Sequence, residues 1–235
     1  MNQGALCSTF QEFFEIQSRQ LQKPFRLLVT GGSQGALVIN RAFVDATDRL
    51  AVRKEELSIV HQTGERDYNA VRTAYARRAY AAEVVPFLSN MADRFAWADV
   101  IVCRAGAITA SEIAAAGRAA IFIPFGAATD SHQLRNAQAM ASAGAGRVIP
   151  ETELNADRLC SEIFSLLDQP REMEKMMTAA RSLATPNAAR DIVNLIEEVA
   201  PRGTEARTPA RSTPVTGADQ AIRAGSADLG TRGKS

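Results

Sequence analysis

Three turns in this sequence combine glycines or polar side chains with the start of a helical pattern. The first, Gly31–Ala36, follows an apolar run, and its glycines allow a tight turn and a close approach of the backbone to a ligand. In the second, Cys103–Glu112, exposed amides at Ala107–Ser111 could hold a diphosphate through the partial positive charge of a helix start. The third, Asp130–Gln133, offers polar groups suited to sugar hydroxyls. Together, these turns predict a site for a ligand that carries phosphates and hydroxyl groups.

The second and third turns also have a purely structural interpretation. Thr109 and Glu112 have the spacing of a capping box, in which both side chains satisfy amides at the start of a helix. In the binding interpretation, Glu112 instead accepts hydrogen bonds from the hydroxyls of a ribose. Asp130 and Gln133 could likewise form only a cap, with His132 in solvent. The residue types alone leave both interpretations open.

Other classes of site are disfavoured by the same residues. Gly31–Ala36 is not followed by the Lys-Ser/Thr pair of a P-loop, and it fits the dinucleotide fingerprint poorly. A nicotinamide-dependent enzyme would also need an acidic residue for its cofactor ribose where the second strand ends in His61–Gly64. We interpret His61 itself as structural. The sequence contains no recognisable metal cluster, nucleophile turn or carboxylate pair, so no metal, cofactor or catalytic residue is predicted.

The composition is typical of a reduced, cytoplasmic protein. The formal net charge of the 235 residues is +1, which lacks the basic excess of a nucleic-acid-binding protein. The three cysteines, Cys7, Cys103 and Cys160, are odd in number and widely spaced. No apolar run reaches the roughly 18 residues that cross a bilayer, and the first 20 residues do not have the pattern of a secretory signal. We therefore expect a cytoplasmic location and no nucleic-acid partner.

Between Phe25 and Ala200, short apolar runs alternate with helical patterns. The runs predict strands at Phe25–Thr30, Leu57–His61, Ala82–Pro86, Val100–Cys103, Ala120–Ile123 and Arg147–Ile149. Helices are predicted at Ala36–Ala51, Asp67–Arg78, Thr109–Ala116, Asp130–Ser142, Ala156–Leu167, Arg171–Leu183 and Asn187–Val199. Continuous apolar strands that are each followed by a helix predict an α/β domain with a doubly wound parallel sheet. In such a domain the ligand lies at the carboxyl ends of the strands.

The segments on either side of this domain differ from it. Residues 201–235 contain no aromatic side chain and few large aliphatic ones, so we predict a disordered tail. Residues 1–24 do not fit the strand–helix alternation and are interpreted as the remnant of a linker. Their apolar side chains would form an exposed cluster with no strand partner, made of Phe10, Phe13, Phe14 and Ile16.

Taken together, four ordered motifs resemble the MurG family. The first two are Leu28–Ala36, which contains the first glycine turn, and His61–Gly64. The other two are Ala98–Glu112 and the stretch from Pro124 to Ala137. Members of this family transfer N-acetylglucosamine from its UDP donor to a polyprenyl-diphosphate-linked muramyl pentapeptide. The resemblance implies a Rossmann-like domain of a two-domain, GT-B-type glycosyltransferase that binds UDP-N-acetylglucosamine.

The resemblance also implies roles for individual residues. Ser33 would contact the diphosphate region of the donor, and Leu88 would meet the uracil through its backbone. Glu112 would hold the ribose, and His132 with Gln133 would face the sugar. The residues that would line the uracil and the phosphates are Ala107, Ile108, Thr109, Ala110 and Ser111.

The resemblance covers only the carboxyl-terminal, donor-binding domain of the family, from about Glu12 to Ala200. We therefore expect the amino-terminal acceptor domain and its catalytic residues to be missing, and the chain alone to be inactive. A separate amino-terminal half is then a candidate partner. The intact family is peripheral on the inner membrane, which would place the chain at its cytoplasmic face. The alternative is a non-catalytic module for UDP-sugar binding or assembly, so the sequence leaves open whether the chain is itself an enzyme.

Overall fold

A computed structural model describes residues 10–80, 82–126 and 132–200 of the chain. Six strands form one sheet, in which every neighbouring pair is parallel. The strands are β1 (Phe25–Thr30), β2 (Leu57–Gln62), β3 (Ala82–Val85), β4 (Val100–Cys103), β5 (Ala119–Phe122) and β6 (Gly146–Val148). The helices are α1 (Leu37–Ala51), α2 (Tyr68–Arg77), α3 (Met91–Trp97), α4 (Ala107–Ala116), α5 (His132–Ser142), α6 (Ala156–Asp168), α7 (Pro170–Ser182) and α8 (Ala188–Val199). The described residues up to Ile192 form one compact unit, which contains the whole sheet.

The sheet is covered on both faces, as the apolar strands predict. Successive strand residues point to opposite faces, so Leu27 and Val29 enter one apolar core while Leu28 enters the other. The β4 residues Ile101 and Val102 divide between the two cores in the same way, and all five are fully buried. Because neither face is solvated, these strands cannot show the apolar–polar alternation of a half-exposed sheet. The prediction of a doubly wound parallel sheet is confirmed.

The order of the strands determines where a ligand can bind. The sheet runs β3-β2-β1-β4-β5-β6, so the chain winds outward from β1 in one direction and then from β4 in the other. In such sheets a crevice opens at the carboxyl ends of the two strands where the winding direction changes. Here those strands are β1 and β4, with Thr30 in register with Cys103. The first two glycine turns of the sequence follow directly from these two residues.

The predicted helices are found close to their predicted positions, and two differences are informative. Helix α4 begins at Ala107, two residues before the predicted start at Thr109. Helix α3 was not predicted, because its seven residues carry too short a pattern to be recognised; Asn90 caps it by accepting a hydrogen bond from the Asp93 amide. The predictions for residues 201–235 and for Asp130 lie outside the described residues. In the described part of the chain, no helix is long and apolar enough to cross a membrane.

The amino-terminal segment, residues 10–20, packs onto the domain. Residues 10–15 are helical, and Phe13 is only 1% exposed, with its ring edge-on to Phe95 at 5.1 Å. Ile16 is buried as well. The expectation of an exposed apolar cluster is therefore wrong for these two residues, since Phe13 packs against Phe95 of α3 and both side chains belong to one of the two apolar cores. Phe10 and Phe14 remain partly exposed.

Two arginines attach this segment to the ends of helices. Arg118, which is 1% exposed, donates to the Phe95 carbonyl at 2.8 Å and to the Gln17 carbonyl at 3.3 Å. Arg181 donates to the carbonyls of Ile16 and Ala116, the latter at 3.0 Å. The last carbonyls of a helix have no partner within that helix, so a guanidinium satisfies them and complements the helix dipole. Residues 10–20 are thus held by the same groups that terminate α3 and α4.

Candidate functional site

A cavity of about 470 Å³ opens where the sheet changes winding direction. Its size falls within the range of small-molecule sites, which is roughly 300–1,000 Å³. It is lined by the ends of β1, β2 and β4, by the loops that follow β1, β3 and β4, and by residues of α3, α4 and α5. The lining residues are Thr30, Gly31, Gly32, Ser33, Gln62, Phe87, Leu88, Met91, Cys103, Arg104, Gly106, Ile108, Thr109, Glu112 and Gln133.

The first glycine turn depends on close packing of backbone against backbone. Gly35 has a φ of +72° and donates from its amide to the Gly32 carbonyl at 2.8 Å. A Cβ at Gly35 would stand 1.9 Å from the Thr63 carbonyl oxygen, so no other residue fits there. The turn after β1 is therefore pressed against the loop after β2. Ser33, in the same turn, is exposed and lines the cavity.

Among the residues that the structure describes, no side chain satisfies the amides at the amino terminus of α4. Gly106 is the N-cap residue, and no side chain among the described residues caps the helix. The first amide to bond within the helix is that of Ala110, which donates to the Gly106 carbonyl at 2.9 Å. The amides of the preceding turn remain available, and the helix dipole adds partial positive charge at the same place. This arrangement is a standard anion-binding geometry.

The position of α4 excludes the capping-box interpretation of Thr109 and Glu112. A capping box needs Thr109 at the N-cap, but Thr109 is the third residue of the helix and Glu112 lies in its second turn. Both side chains line the cavity instead. The sequence pattern was misleading because Gly106, which has no side chain to recognise, serves as the N-cap.

Glu112 is the most unusual group in the cavity. Its carboxyl is half-buried, yet it forms no hydrogen bond or ion pair with any residue that the structure describes. Burial raises the pKa of Glu112 to about 7, because removal from water disfavours the charged form. The Cys103 thiol is fully buried, and burial together with the nearby Glu112 charge raises its pKa. A perturbed carboxyl without a protein partner in a cleft indicates a functional group.

The third turn supplies an amide whose orientation is fixed. Gln133 accepts a hydrogen bond at its Oε1 from the Phe125 backbone amide at 3.0 Å. A backbone amide needs an acceptor, so the Nε2 group of Gln133 is the end left for a ligand. Gln133 therefore presents its Nε2 group as a hydrogen-bond donor to the cavity.

Arg104 connects the end of β4 to the segment after β5, and this role was not predicted from the sequence. It donates to the Ile123 carbonyl and to the Glu151 carboxylate, each at 3.1 Å, and its guanidinium lies 5.2 Å from the Phe125 ring centroid. Glu151 also accepts from the Gly126 amide. Although partial burial acts to raise it, the pKa of Glu151 is lowered by the Gly126 amide and by Arg104. The signal that could have identified Arg104 is its position directly after a buried strand.

The structure brings together only part of the predicted set. Ser33, Leu88, Ile108, Thr109, Glu112 and Gln133 line the cavity. Ala107, Ala110 and Ser111 instead line a groove of about 270 Å³, which also contains Phe10 and Phe14. His132 is exposed and does not line the cavity. Ligand contacts by all ten predicted residues remain predictions.

His61 is structural, as interpreted from the sequence. It is fully buried, and burial lowers its pKa to about 3, so the ring is neutral. Its two ring nitrogens lie 3.1 Å from the Tyr75 hydroxyl and 3.1 Å from Asn40 Oδ1. Within the described residues, no group of three or more His, Cys, Asp or Glu side chains is placed to hold a metal ion.

Comparison with known proteins identifies the family. The model of the glycosyltransferase family 28 C-terminal domain matches residues 26–198. The chain belongs to this family. A relative from Geotalea daltonii, named UDP-N-acetylglucosamine--N-acetylmuramyl-(pentapeptide) pyrophosphoryl-undecaprenol N-acetylglucosamine transferase, is 48% identical over 169 residues, which are 72% of this chain and 46% of the relative. A relative of the same name from Geobacter sulfurreducens is 46% identical over 170 residues, 72% of this chain and 47% of the relative.

A solved structure supports the same assignment. The crystal structure of MurG from Acinetobacter baumannii is 34% identical, with a TM-score of 0.68, over 80% of this chain and 53% of that one. The resemblance to MurG and the Rossmann-like, GT-B-type fold are confirmed for this family 28 domain. The chain spans about half the length of the relatives it matches.

The raised pKa of Glu112 predicts a pH-dependent cost to the stability of the ligand-free domain. Because the folded-state pKa of about 7 exceeds the ordinary value of 4.5, the folded state binds more protons than the unfolded state between these pH values. Stability therefore falls as pH rises through this window. The melting temperature of Glu112→Gln minus that of wild type should therefore be larger at pH 8 than at pH 5. Calorimetric melting of both proteins at the two pH values measures the difference.

The same substitution at Glu174, which is exposed on α7, is the matched control and should show no such trend. If the difference in melting temperature between wild type and Glu112→Gln stays constant from pH 5 to pH 8, the desolvation of Glu112 is contradicted.

Proposed function

We propose that this domain binds UDP-N-acetylglucosamine as the sugar donor for transfer to a lipid-linked muramyl pentapeptide. The observation that carries the proposal is the pairing of two unsatisfied groups in one cavity. Among the described residues, Glu112 has no protein partner in the cavity, and the amides that start α4 have no side-chain cap. The Glu112 carboxylate can accept hydrogen bonds from hydroxyl groups, and the α4 amides can bind an anion. A UDP-sugar supplies both, as the hydroxyls of its ribose and as its diphosphate. The transferase names of the relatives support the same ligand.

The parts of the UDP-sugar can be assigned to residues of this site. The diphosphate would lie at the start of α4, with the Thr109 hydroxyl and Ser33 on either side. The ribose diol would donate to Glu112, and the uracil would lie against the backbone of Leu88. Gln133 would donate from Nε2 to a sugar oxygen. Ala107 would contribute its backbone amide at the start of α4. Ala110, Ser111 and His132 lie outside the ligand-free cavity and would contact the donor only if the site adjusts on binding.

The transfer step is a direct displacement with inversion at the anomeric carbon. The acceptor hydroxyl forms the new bond to that carbon as the bond to the diphosphate oxygen breaks, and its proton passes to a general base. Negative charge grows on the departing UDP, where the α4 amides and dipole are already oriented to stabilise it. Residues of this chain thus serve the leaving group, and we assign no general base among them. Acceptor binding and the base would come from the other half of the relatives' length, whether on the same polypeptide or on a separate one.

Nucleotide titration tests the donor site. At pH 8, calorimetry should detect binding of UDP and not of ADP at the same concentration, because the uracil edge is read by backbone groups near Leu88. Glu112→Gln should weaken UDP binding about tenfold or more, since hydrogen bonds to a charged group contribute about 1.5–3 kcal/mol. Glu174→Gln is the control and should bind as wild type does. Equal signals for UDP and ADP would contradict the donor site, and unchanged affinity in folded Glu112→Gln would contradict the ribose contact.

An assay of transfer activity tests whether this chain binds the donor while a separate half supplies acceptor binding and the general base. Purified chain incubated with labelled UDP-N-acetylglucosamine and a short-chain acceptor analogue should give no product, because positioning both reactants contributes about 7–11 kcal/mol of barrier lowering. Addition of the separately expressed amino-terminal half of a related transferase should restore product. Product from the chain alone would contradict the need for that half. No product in either case would favour a non-catalytic UDP-sugar-binding module.

A further inference from the structure

Gln62 is a polar residue in an almost fully buried position. It is the last residue of β2 and is 2% exposed. The register of the sheet places it between Thr30, the last residue of β1, and Val85, the last residue of β3. Partners in register on parallel strands point to the same face of the sheet, so the side chains of Thr30 and Gln62 lie next to each other. Both line the floor of the donor cavity.

The hydrogen bonds of Gln62 connect two loops that flank the cavity. Its Oε1 accepts from the Thr30 hydroxyl at 2.8 Å, and its Nε2 donates to the Pro86 carbonyl at 3.1 Å. The Thr30 hydroxyl in turn accepts from the Gly32 amide at 3.3 Å. The Pro86 carbonyl also accepts from the Gly64 amide at 3.0 Å. Since a carbonyl can only accept, the direction of every bond from Gly32 to Pro86 is fixed.

A second buried network holds the loop after β2 from the opposite face of the sheet. Asn40 of α1 donates from Nδ2 to the Thr63 carbonyl at 2.9 Å and to Asp67 at 2.8 Å. Both amide hydrogens are used, so Asn40 Oδ1 accepts from His61 Nε2, and His61 Nδ1 accepts from the Tyr75 hydroxyl. These bonds fix the loop after β2, so Gln62 can connect Thr30 and Pro86 from a rigid position.

We propose that Gln62 is a positioning residue that sets the distance between the phosphate side and the base side of the donor site. The inference rests on the proposed function, which places Ser33, in the turn after β1, beside the diphosphate and places the uracil against the Pro86–Leu88 loop. A nucleotide diphosphate must engage both loops at once, whereas a nucleoside or a free diphosphate engages only one of them. Gln62 thus contributes to affinity by keeping the two half-sites at the separation that the intact ligand requires.

Only glutamine meets both requirements of this position. A methionine would fill the same volume, but it would leave the Thr30 hydroxyl without its acceptor and remove the donor to the Pro86 carbonyl. A glutamate would place a carboxylate next to that carbonyl, with two acceptors facing each other in a buried position. An asparagine is one methylene shorter and cannot span both partners. The length and the amide of Gln62 are both needed for a single connection.

The test compares the intact ligand with its two parts. UDP, uridine and inorganic pyrophosphate are titrated separately by ligand-observed NMR against wild type, Gln62→Met and a control. The control is Thr47→Val, which removes a buried hydroxyl whose bond at 2.8 Å is to Val44 of its own helix, away from the cavity. Gln62→Met should weaken UDP binding about tenfold or more, while uridine and pyrophosphate change by no more than about twofold. Thr47→Val should leave all three affinities unchanged.

Thr30→Val serves as a second variant should Gln62→Met fail to fold, because it removes only the hydroxyl that links Gly32 to Gln62. It should give the same pattern with a smaller loss for UDP. An equal loss for UDP and uridine would show that Gln62 acts within the base side alone and would overturn the inference. Unchanged UDP affinity in both variants would overturn it as well. A wild-type protein that binds neither UDP nor uridine would overturn the proposed function, and this inference with it.

Discussion

The ligand-binding character of this site depends on a half-buried carboxyl that has no partner among the described residues. Glu112 loses hydration in the cavity, which raises its pKa to about 7, and no residue in the described part of the chain compensates for that loss. The amides at the start of α4 are left unsatisfied in a similar way. Unsatisfied groups of opposite character in one crevice lower the stability of the empty domain. They become favourable when a ligand brings both hydroxyl donors and an anion.

The remainder of the structure keeps these two groups in place. The parallel sheet brings the ends of β1 and β4 together, and burial on both faces fixes the register that aligns Thr30 with Cys103. Buried polar side chains then hold the loops, with Gln62 on one face of β2 and His61 on the other. Such networks are specific only when every member is satisfied, which is the case for both residues. The site is therefore preorganised by its surroundings, while Glu112 and the α4 amides remain available to the ligand.

Sequence patterns predicted the fold well because continuous apolar runs are a strong signal for buried parallel strands. They failed where the deciding contact is distant or invisible. The start of α4 was misplaced because its N-cap, Gly106, has no side chain, whereas Thr109 and Glu112 imitate a capping box. The burial of Phe13 depends on α3, and Arg118 reaches Gln17 across 101 positions of the chain. Gln62 could be recognised only after the register had placed it beside Thr30 and Pro86.

Proton release on binding tests the central claim most directly. UDP-N-acetylglucosamine has no phosphate group that titrates near pH 7, so a change in protonation on binding reports on the protein. Titration at pH 7 in buffers of different ionisation enthalpy should show net release of up to about half a proton per ligand, since hydrogen bonds from the ribose favour the charged form of Glu112. The release should be absent from Glu112→Gln. Binding without proton release, or the same release in wild type and Glu112→Gln, would contradict the assignment of Glu112 to the donor.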